Sequence, residues 1–332
     1  MDSINKRNLE TNLQNKIHDN PHESSNYLRL AALLDKTNRT EDVYALLEKA
    51  RSLDPLNYEI YNFLGSNAKK KGDVQASIYF YKKSISLKSN YYVAIYNLAN
   101  SYKQINNLNE SIRLYKKVIS INNQHFKSFY NLGNLYKDMN NFELAINYYI
   151  ETIKIKPNFI EALNNLGTIY QELGLIDKAQ ITYKKALEFN SKDSNILNNL
   201  ANTYKSSGDF ETSIKLYEKS ISNNNNHTES IFNLGITKLL LNDYKHGLEL
   251  YEKRLLCKQI YSLIVRPNFK KIKTKPKTGE KLLIVSEQGL GDTVQFMRYV
   301  FYLKDQGIDV YFCAQNKLFN LIKSSNSNVP LV

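Results

Sequence analysis

The 332-residue chain has no tryptophan, only two cysteines and only twelve glycines. Two cysteines, Cys257 and Cys313, cannot build a disulfide framework, which fits a reducing compartment. No run approaches the roughly 18 consecutive apolar residues that a membrane helix needs, which excludes a membrane-spanning helix. The opening MDSINKRNLETNLQNK lacks the apolar stretch of a secretory signal, so a cytoplasmic location is expected. Acid is also short: 32 Asp plus Glu against 45 Lys plus Arg leave a net charge of +13. That charge is spread along the chain, and its most basic stretch holds one aromatic, Phe269. Both points argue against a nucleic-acid partner.

What is present is material for packed cores. Apolar residues make up 42% of the chain, with 25 Tyr and 14 Phe, and the length fits about two domains. Asparagine occurs 42 times and lysine is abundant, a bias that resembles coding drift in an AT-rich genome. Any argument from asparagine must therefore rest on position and not on number.

Position is what the chain supplies. The triplets starting at Asn97, Asn131, Asn165, Asn199 and Asn233 read NLA or NLG and recur every 34 residues. Seven units follow without an insertion: 24–57, 58–91, 92–125, 126–159, 160–193, 194–227 and 228–261. Position seven is Leu in every unit, from Leu30 to Leu234, and position eight is Ala or Gly. Position eleven is mostly Tyr (Tyr102, Tyr136, Tyr170, Tyr204), one helical turn on and on the same face. Gly or Asn at position fifteen (Gly72, Asn106, Asn140, Gly174, Gly208, Asn242) marks a turn. A second helix then carries a small residue at position twenty and Tyr at position twenty-four (Tyr81, Tyr115, Tyr149, Tyr183, Tyr217, Tyr251). Pro55 and Pro157 fall where a chain leaving a helix tolerates proline.

This pattern resembles the tetratricopeptide repeat (TPR) over roughly 70% of the chain. The resemblance implies a mostly α fold: a right-handed superhelix of seven helix-turn-helix repeats whose first helices line a concave groove. The first unit departs from it, with Val43 and Leu47 where small and aromatic residues are usual; terminal repeats often differ because one face has no neighbour. Residues 1–23 are polar and read as a leader or a partial cap.

Two rows of residues are candidates for binding a protein or peptide in that groove. Position six carries Asn97, Asn131, Asn165, Asn199 and Asn233, one amide per repeat, each offering donors and an acceptor to an extended peptide backbone. The row resembles the asparagine ladder of the TPR superhelix in O-linked N-acetylglucosamine transferases. Asn is also common at this position across the family, so a purely structural role stands beside the binding one. Position twelve carries Lys69, Lys103, Lys137 and Lys205, which would favour acidic segments; a solvated lysine face is the alternative. The Leu and Tyr rows read as core. In the seventh unit Leu239, Leu240 and Leu241 break the polar pattern and are expected to meet the domain that follows.

Beyond residue 261 the character changes. Residues 262–280 read as a basic linker containing Pro267, Pro276 and Gly279. Lys281–Val285 suits a buried parallel strand, a glycine-containing loop spans 286–292, and a helix is expected from about Thr293 to Asp305. A strand at 309–314 and a helix at 317–324 complete the opening of a Rossmann-like α/β unit. The loop has neither the third glycine of a dinucleotide fingerprint nor a Walker ending. A tight turn with Asp292 as helix cap is one reading of it.

The stretch EQGLGDTVQFMRY (Glu287–Tyr299), the RPNF of 266–269 and the string 233–255 resemble a bacterial family in which TPRs are fused to a heptosyltransferase-like domain. That resemblance implies a two-Rossmann glycosyltransferase, with Asp292 as general base toward an acceptor hydroxyl and Gly289 and Gly291 leaving room beside it. It reaches only the start of the first half, so residues 281–332 are expected to be an incomplete domain. A nucleotide sugar is then expected only with a complete transferase. No pattern calls for a cofactor, and His18, His22, His125, His227 and His246 have no metal-ligand spacing.

Overall fold

The computed structural model describes residues 2–35, 39–251, 253, 276–286, 290–314, 316–324 and 330–331. These residues are mostly helical, with one two-stranded sheet, and the chain divides into two compact units, 1–191 and 192–332.

The first unit opens with α1 (Asp2–Asp19) and continues as five helix pairs. These are α2 (Ser24–Leu34) with α3 (Thr40–Leu53), α4 (Tyr58–Lys70) with α5 (Val74–Leu87), and α6 (Tyr92–Gln104) with α7 (Leu108–Ile121). Next come α8 (Phe126–Asp138) with α9 (Phe142–Ile155) and α10 (Ile160–Glu172) with α11 (Ile176–Phe189). The second unit begins with two more pairs, α12 (Ser194–Ser206) with α13 (Phe210–Asn223) and α14 (Thr228–Leu240) with α15 (Tyr244–Tyr251). The first helix of every pair starts on the first residue of the 34-residue register.

The turns explain why each hairpin closes where it does. Gly72, Gly174 and Gly208 have positive φ, and so do Asn106, Asn140 and Asn242 at 59°, 58° and 62°. Asparagine is among the few side chains that tolerate this left-handed conformation, and position fifteen uses it interchangeably with glycine. The next residue then caps the second helix. Asp73, Asn107, Asn141 and Asp209 each accept a hydrogen bond from the backbone N–H three residues on.

Inside each hairpin, position twenty-four lies over position eight. A Cβ added to Gly65, Gly133 or Gly167 would come within 2.6–2.7 Å of the ring of Tyr81, Tyr149 or Tyr183. Tyr115 and Tyr217, fully buried, face Ala99 and Ala201 in the alanine versions of the same seam. In the first pair the fully buried Leu47 takes the place of this tyrosine. Leu13 of α1 joins the cluster formed by Tyr27, Leu30 and Leu47, and Glu10 pairs with Arg39 at 2.8 Å.

The rest of the second unit is an α/β segment. Strand β1 (Lys281–Val285) pairs in parallel with β2 (Asp309–Cys313), Lys281 opposite Asp309 and Val285 opposite Cys313. Between them lies α16 (Leu290–Asp305); a 3₁₀ turn, Asn316–Leu318, precedes α17 (Phe319–Ser324). Val300, Val310, Phe312 and Ile322 form its buried core. The helix starts three residues before the expected Thr293. Gly291 is an acceptable helical residue at a cost of about 1 kcal/mol. Of the expected basic linker, residues 262–275 lie outside the described residues. Among the described residues, no helix is long and apolar enough to cross a membrane, and no group of His, Cys, Asp and Glu could hold a metal ion.

Candidate functional site

The site is built on the first helices. At about 100° per residue, positions six, nine, five and twelve of a first helix fall within an arc of about 120°. Position five is Tyr96 in α6 and Tyr130 in α8, and position nine is Asn100 and Asn134. The candidate asparagines and lysines therefore share one polar strip with residues that the repeat pattern had not singled out.

Hydrogen bonds tie that strip across repeats. Asn97 Nδ2 donates to Asn62 Oδ1 at 3.0 Å. Asn131 Nδ2 donates to Tyr96 Oη at 3.2 Å and Asn100 Oδ1 at 3.4 Å. Asn165 repeats the arrangement with Tyr130 Oη at 3.3 Å and Asn134 Oδ1 at 3.0 Å. In the second unit Asn233 Nδ2 donates to Asn198 Oδ1 at 3.0 Å, and Asn199 is half-buried at the equivalent place in α12. In these four residues Nδ2 holds the preceding repeat, and no hydrogen bond among the described residues uses their Oδ1.

The buried tyrosines reach the same strip from below. The hydroxyls of Tyr115, Tyr149 and Tyr217 donate to Oδ1 of Asn100, Asn134 and Asn202 at 2.6, 2.7 and 2.5 Å. Tyr81 and Tyr183 meet Ser66 and Thr168 at 3.2 Å. Position twenty-four is therefore core by its ring and part of the polar strip by its oxygen. Burial pushes the Tyr183 and Tyr217 hydroxyls up to about 12 and raises those of Tyr115 and Tyr149 as well.

Lys69, Lys103, Lys137 and Lys205 are half-buried, and none of them forms an ion pair among the described residues. Their sequence neighbours behave differently: Lys70 pairs with Asp35 at 2.6 Å and Lys71 with Glu41 at 2.9 Å. Burial without a counter-charge lowers the pKa of Lys69 and Lys205.

The two histidines at the inter-repeat turn occupy N-cap positions, and of the two the His227 side chain caps its helix. His227 is buried; its Nδ1 accepts from the Ser230 backbone N–H at 3.2 Å, which leaves the proton on Nε2 to donate to Asn195 Oδ1 at 3.1 Å. Ser230 Oγ donates to Asn198 Oδ1, the atom that also accepts from Asn233. His125 Nδ1 lies 2.9 Å from Ser128 Oγ, its ring is packed on Tyr92 and Tyr96, and burial lowers its pKa. Imidazole capping left no signal in the spacing, because the preferred caps are shorter polar side chains.

The remaining expected residues fare differently. Of the seventh-repeat leucines, Leu239 packs against Gly247, whereas Leu240 and Leu241 are 60% and 46% exposed. Residues 254–275, which follow them, lie outside the described residues. Gly289 lies outside the described residues. Gly291 and Asp292 lie in the first turn of α16, with the Asp292 side chain outside the described residues. Cys313 is free and half-buried, and Cys257 lies outside the described residues.

Comparison with known proteins bears on the repeats. Tetratricopeptide repeat models match residues 58–91, 126–159 and 158–226, and a TPR repeat model matches 99–140. No curated protein sequence matches the chain. Among solved structures, the C-terminal part of a TPR repeat-containing protein from Cytophaga hutchinsonii is 15% identical. It covers 70% of this chain and 95% of its own, with a TM-score of 0.60. PilF of Pseudomonas aeruginosa is 15% identical over 62% of this chain and 92% of its own, with a TM-score of 0.53. The Cut9–Hcn1 hetero-tetramer of the APC/C is 13% identical over 76% of this chain and 50% of its own, with a TM-score of 0.52. At these identities the likeness is one of fold. Residues 58–91 and 99–226 are thus tetratricopeptide repeats, with the hairpins, the positive-φ turns and the small-residue seams built as their 34-residue register requires.

Proposed function

We propose that the chain is a protein-interaction scaffold that holds an extended, acidic peptide segment along its first helices. The observation that carries this reading is the row of half-buried lysines without counter-charges, Lys69, Lys103 and Lys137 in the first unit and Lys205 in the second. A half-buried ammonium is stabilised by an anion brought by a ligand. Beside these lysines, the Oδ1 atoms of Asn97, Asn131 and Asn165 in the first unit and Asn233 in the second are acceptors for peptide N–H groups, with Asn199 a further contact in the second unit. The reading predicts that Lys103→Ala with Lys137→Ala weakens binding of an acidic peptide about tenfold or more, and that raised salt weakens wild-type binding in parallel. Asn131→Ala with Asn165→Ala is expected to weaken binding too, with a stability loss of about 1 kcal/mol per lost cross-repeat bond. Isothermal titration with an Asp/Glu-rich peptide and its Asn/Gln counterpart tests this. Equal affinity for the two peptides would falsify the acidic assignment, and wild-type affinity in the asparagine variant would remove the amide row.

A second reading concerns the α/β segment. The parallel β1–β2 pair with α16 between its strands is the arrangement in which ligands sit beyond the carboxyl ends of strands. At that end of β1, Ser286 Oγ is buried and has no hydrogen-bond partner. These features support a glycosyltransferase-like segment in which Asp292 is the base and Gly289 and Gly291 border the acceptor. In a chain that carries the complete transferase, transfer from a nucleotide sugar that Asp292→Asn abolishes is the expected result; full transfer by that variant removes the assignment.

A further inference from the structure

The second helices of the first unit differ in charge. Helix α3 holds Lys49 and Arg51 against Glu41, Asp42 and Glu48, and α9 holds Lys154 against Glu143 and Glu151, a net charge of −1 each. Between them, α5 holds Lys82 and Lys83 with no acid, and α7 holds Arg113, Lys116 and Lys117 against Glu110, a net charge of +2 each. The surplus therefore belongs to two helices and not to the composition at large. Lys82, Lys83, Lys116 and Lys117 are all exposed, and none of them forms an ion pair among the described residues. Glu110 is occupied, since Arg113 donates to it from Nε at 3.1 Å and from Nη2 at 2.7 Å. That bond lowers the pKa of Glu110, and the charge of Lys82 on α5 lowers it further, so the two helices share one field. An apolar component lies on the same faces. Tyr79, 61% exposed, precedes Lys82 and Lys83 by three and four residues, the spacing of neighbours on a helix. Ile121, 38% exposed, follows Lys117 by one turn.

We propose that the exposed faces of α5 and α7 dock the protein on an anionic lipid bilayer, with the four lysines among the headgroup phosphates and Tyr79 at headgroup depth. A lysine is a point charge on a flexible stem, so four of them meet a fluid layer of phosphates without any fixed register. Their methylene stems and the Tyr79 ring are apolar with a polar tip, the character that suits the zone between hydrocarbon and water. A nucleic acid fits less well. Single strands call for a series of stacking rings, and Tyr79 is the one exposed aromatic of these two helices. The polar strip belongs to the first helices, so the two surfaces share no residue.

The test is co-sedimentation of the full chain with phosphatidylcholine vesicles, with and without about 40% phosphatidylglycerol. Binding to the anionic vesicles is expected to be at least about tenfold stronger than to the neutral ones, and to weaken as salt rises from about 50 to about 500 mM. Lys82→Gln, Lys83→Gln, Lys116→Gln and Lys117→Gln combined is expected to lose at least about tenfold, with an unchanged helical circular dichroism spectrum. A control combines Lys16→Gln, Lys127→Gln, Lys178→Gln and Lys245→Gln, all exposed and on other helices, with the same change in net charge. It is expected to bind within about threefold of wild type, because screening confines the attraction to charges near the bilayer. The chain has no tryptophan, so Tyr79→Trp supplies a single reporter whose emission is expected to shift to the blue on anionic vesicles. Equal binding to both kinds of vesicle, equal loss in the two quadruple variants, unshifted emission, or tighter binding to a DNA duplex at equal phosphate concentration each overturns the proposal.

Discussion

At the scale of single residues, the tyrosine at position twenty-four is the most informative. Its ring fills the space left by a glycine or alanine eight residues into the repeat, and its hydroxyl crosses to position nine of the first helix. Tyr149→Phe keeps the ring and removes the oxygen that donates to Asn134 at 2.7 Å and accepts from Asn165 at 3.4 Å. Urea denaturation should show a loss of about 1 kcal/mol, because one hydrogen bond to Asn134 is lost while Asn165 still donates to its Oδ1. A variant as stable as wild type would mean that the hydroxyl contributes nothing and that the tyrosine acts as hydrocarbon alone. The ring's role was legible in the sequence, since Tyr recurs opposite a small residue at fixed spacing. The hydroxyl's role was not. Whether an oxygen at the rim of a core meets position nine depends on the rotation of one helix against the other, and periodicity carries no information about that angle. The same gap concealed the cross-repeat bonds of Asn97, Asn131, Asn165 and Asn233, whose positions were plain.

Among the elements, the hairpin turn is where chemistry and geometry agree most closely. Gly and Asn alternate at position fifteen because the backbone there needs positive φ, and the following Asp or Asn caps the next helix. Asn140→Ala, at φ 58°, is expected to cost about 1–2 kcal/mol through left-handed strain, whereas Asn140→Gly should be neutral within a few tenths. Paired thermal melts measure both; an Ala variant as stable as the Gly variant would mean that the turn relaxes to another conformation. The helix starts at Ser24, Tyr58, Tyr92, Phe126, Ile160, Ser194 and Thr228 were all readable from the register, because seven copies average out the noise of any one. Helix α16 has no copies, and there the boundary was misread by three residues: glycines that signal a loop in isolation were drawn into a first helical turn.

For the molecule as a whole, the buried tyrosines set an alkaline limit. Tyr81, Tyr115, Tyr149, Tyr183 and Tyr217 all have raised pKa values, with burial the main cause in each. The fold favours the neutral phenol, so the stability these groups confer is complete below the unfolded value of about 10 and is lost as pH rises through the folded values. Helical circular dichroism is expected to hold up to about pH 10 and to collapse by about pH 12, together with a late wave of tyrosinate absorbance. Simultaneous titration of all 25 tyrosines near pH 10, with the helices intact, would contradict this. The cross-repeat bonds also constrain how such a chain can change over generations. The amides of Asn97, Asn131, Asn165 and Asn233 donate to the repeat immediately before them, in the same way at Asn131 and Asn165. Excising one whole 34-residue period from the gene would join an amide to an equivalent acceptor and leave a shorter, foldable product. Excising a single codon would put the amide, tyrosine and turn of the repeat it falls in out of phase with their partners, so the sequence can drift in length by repeats but hardly by residues.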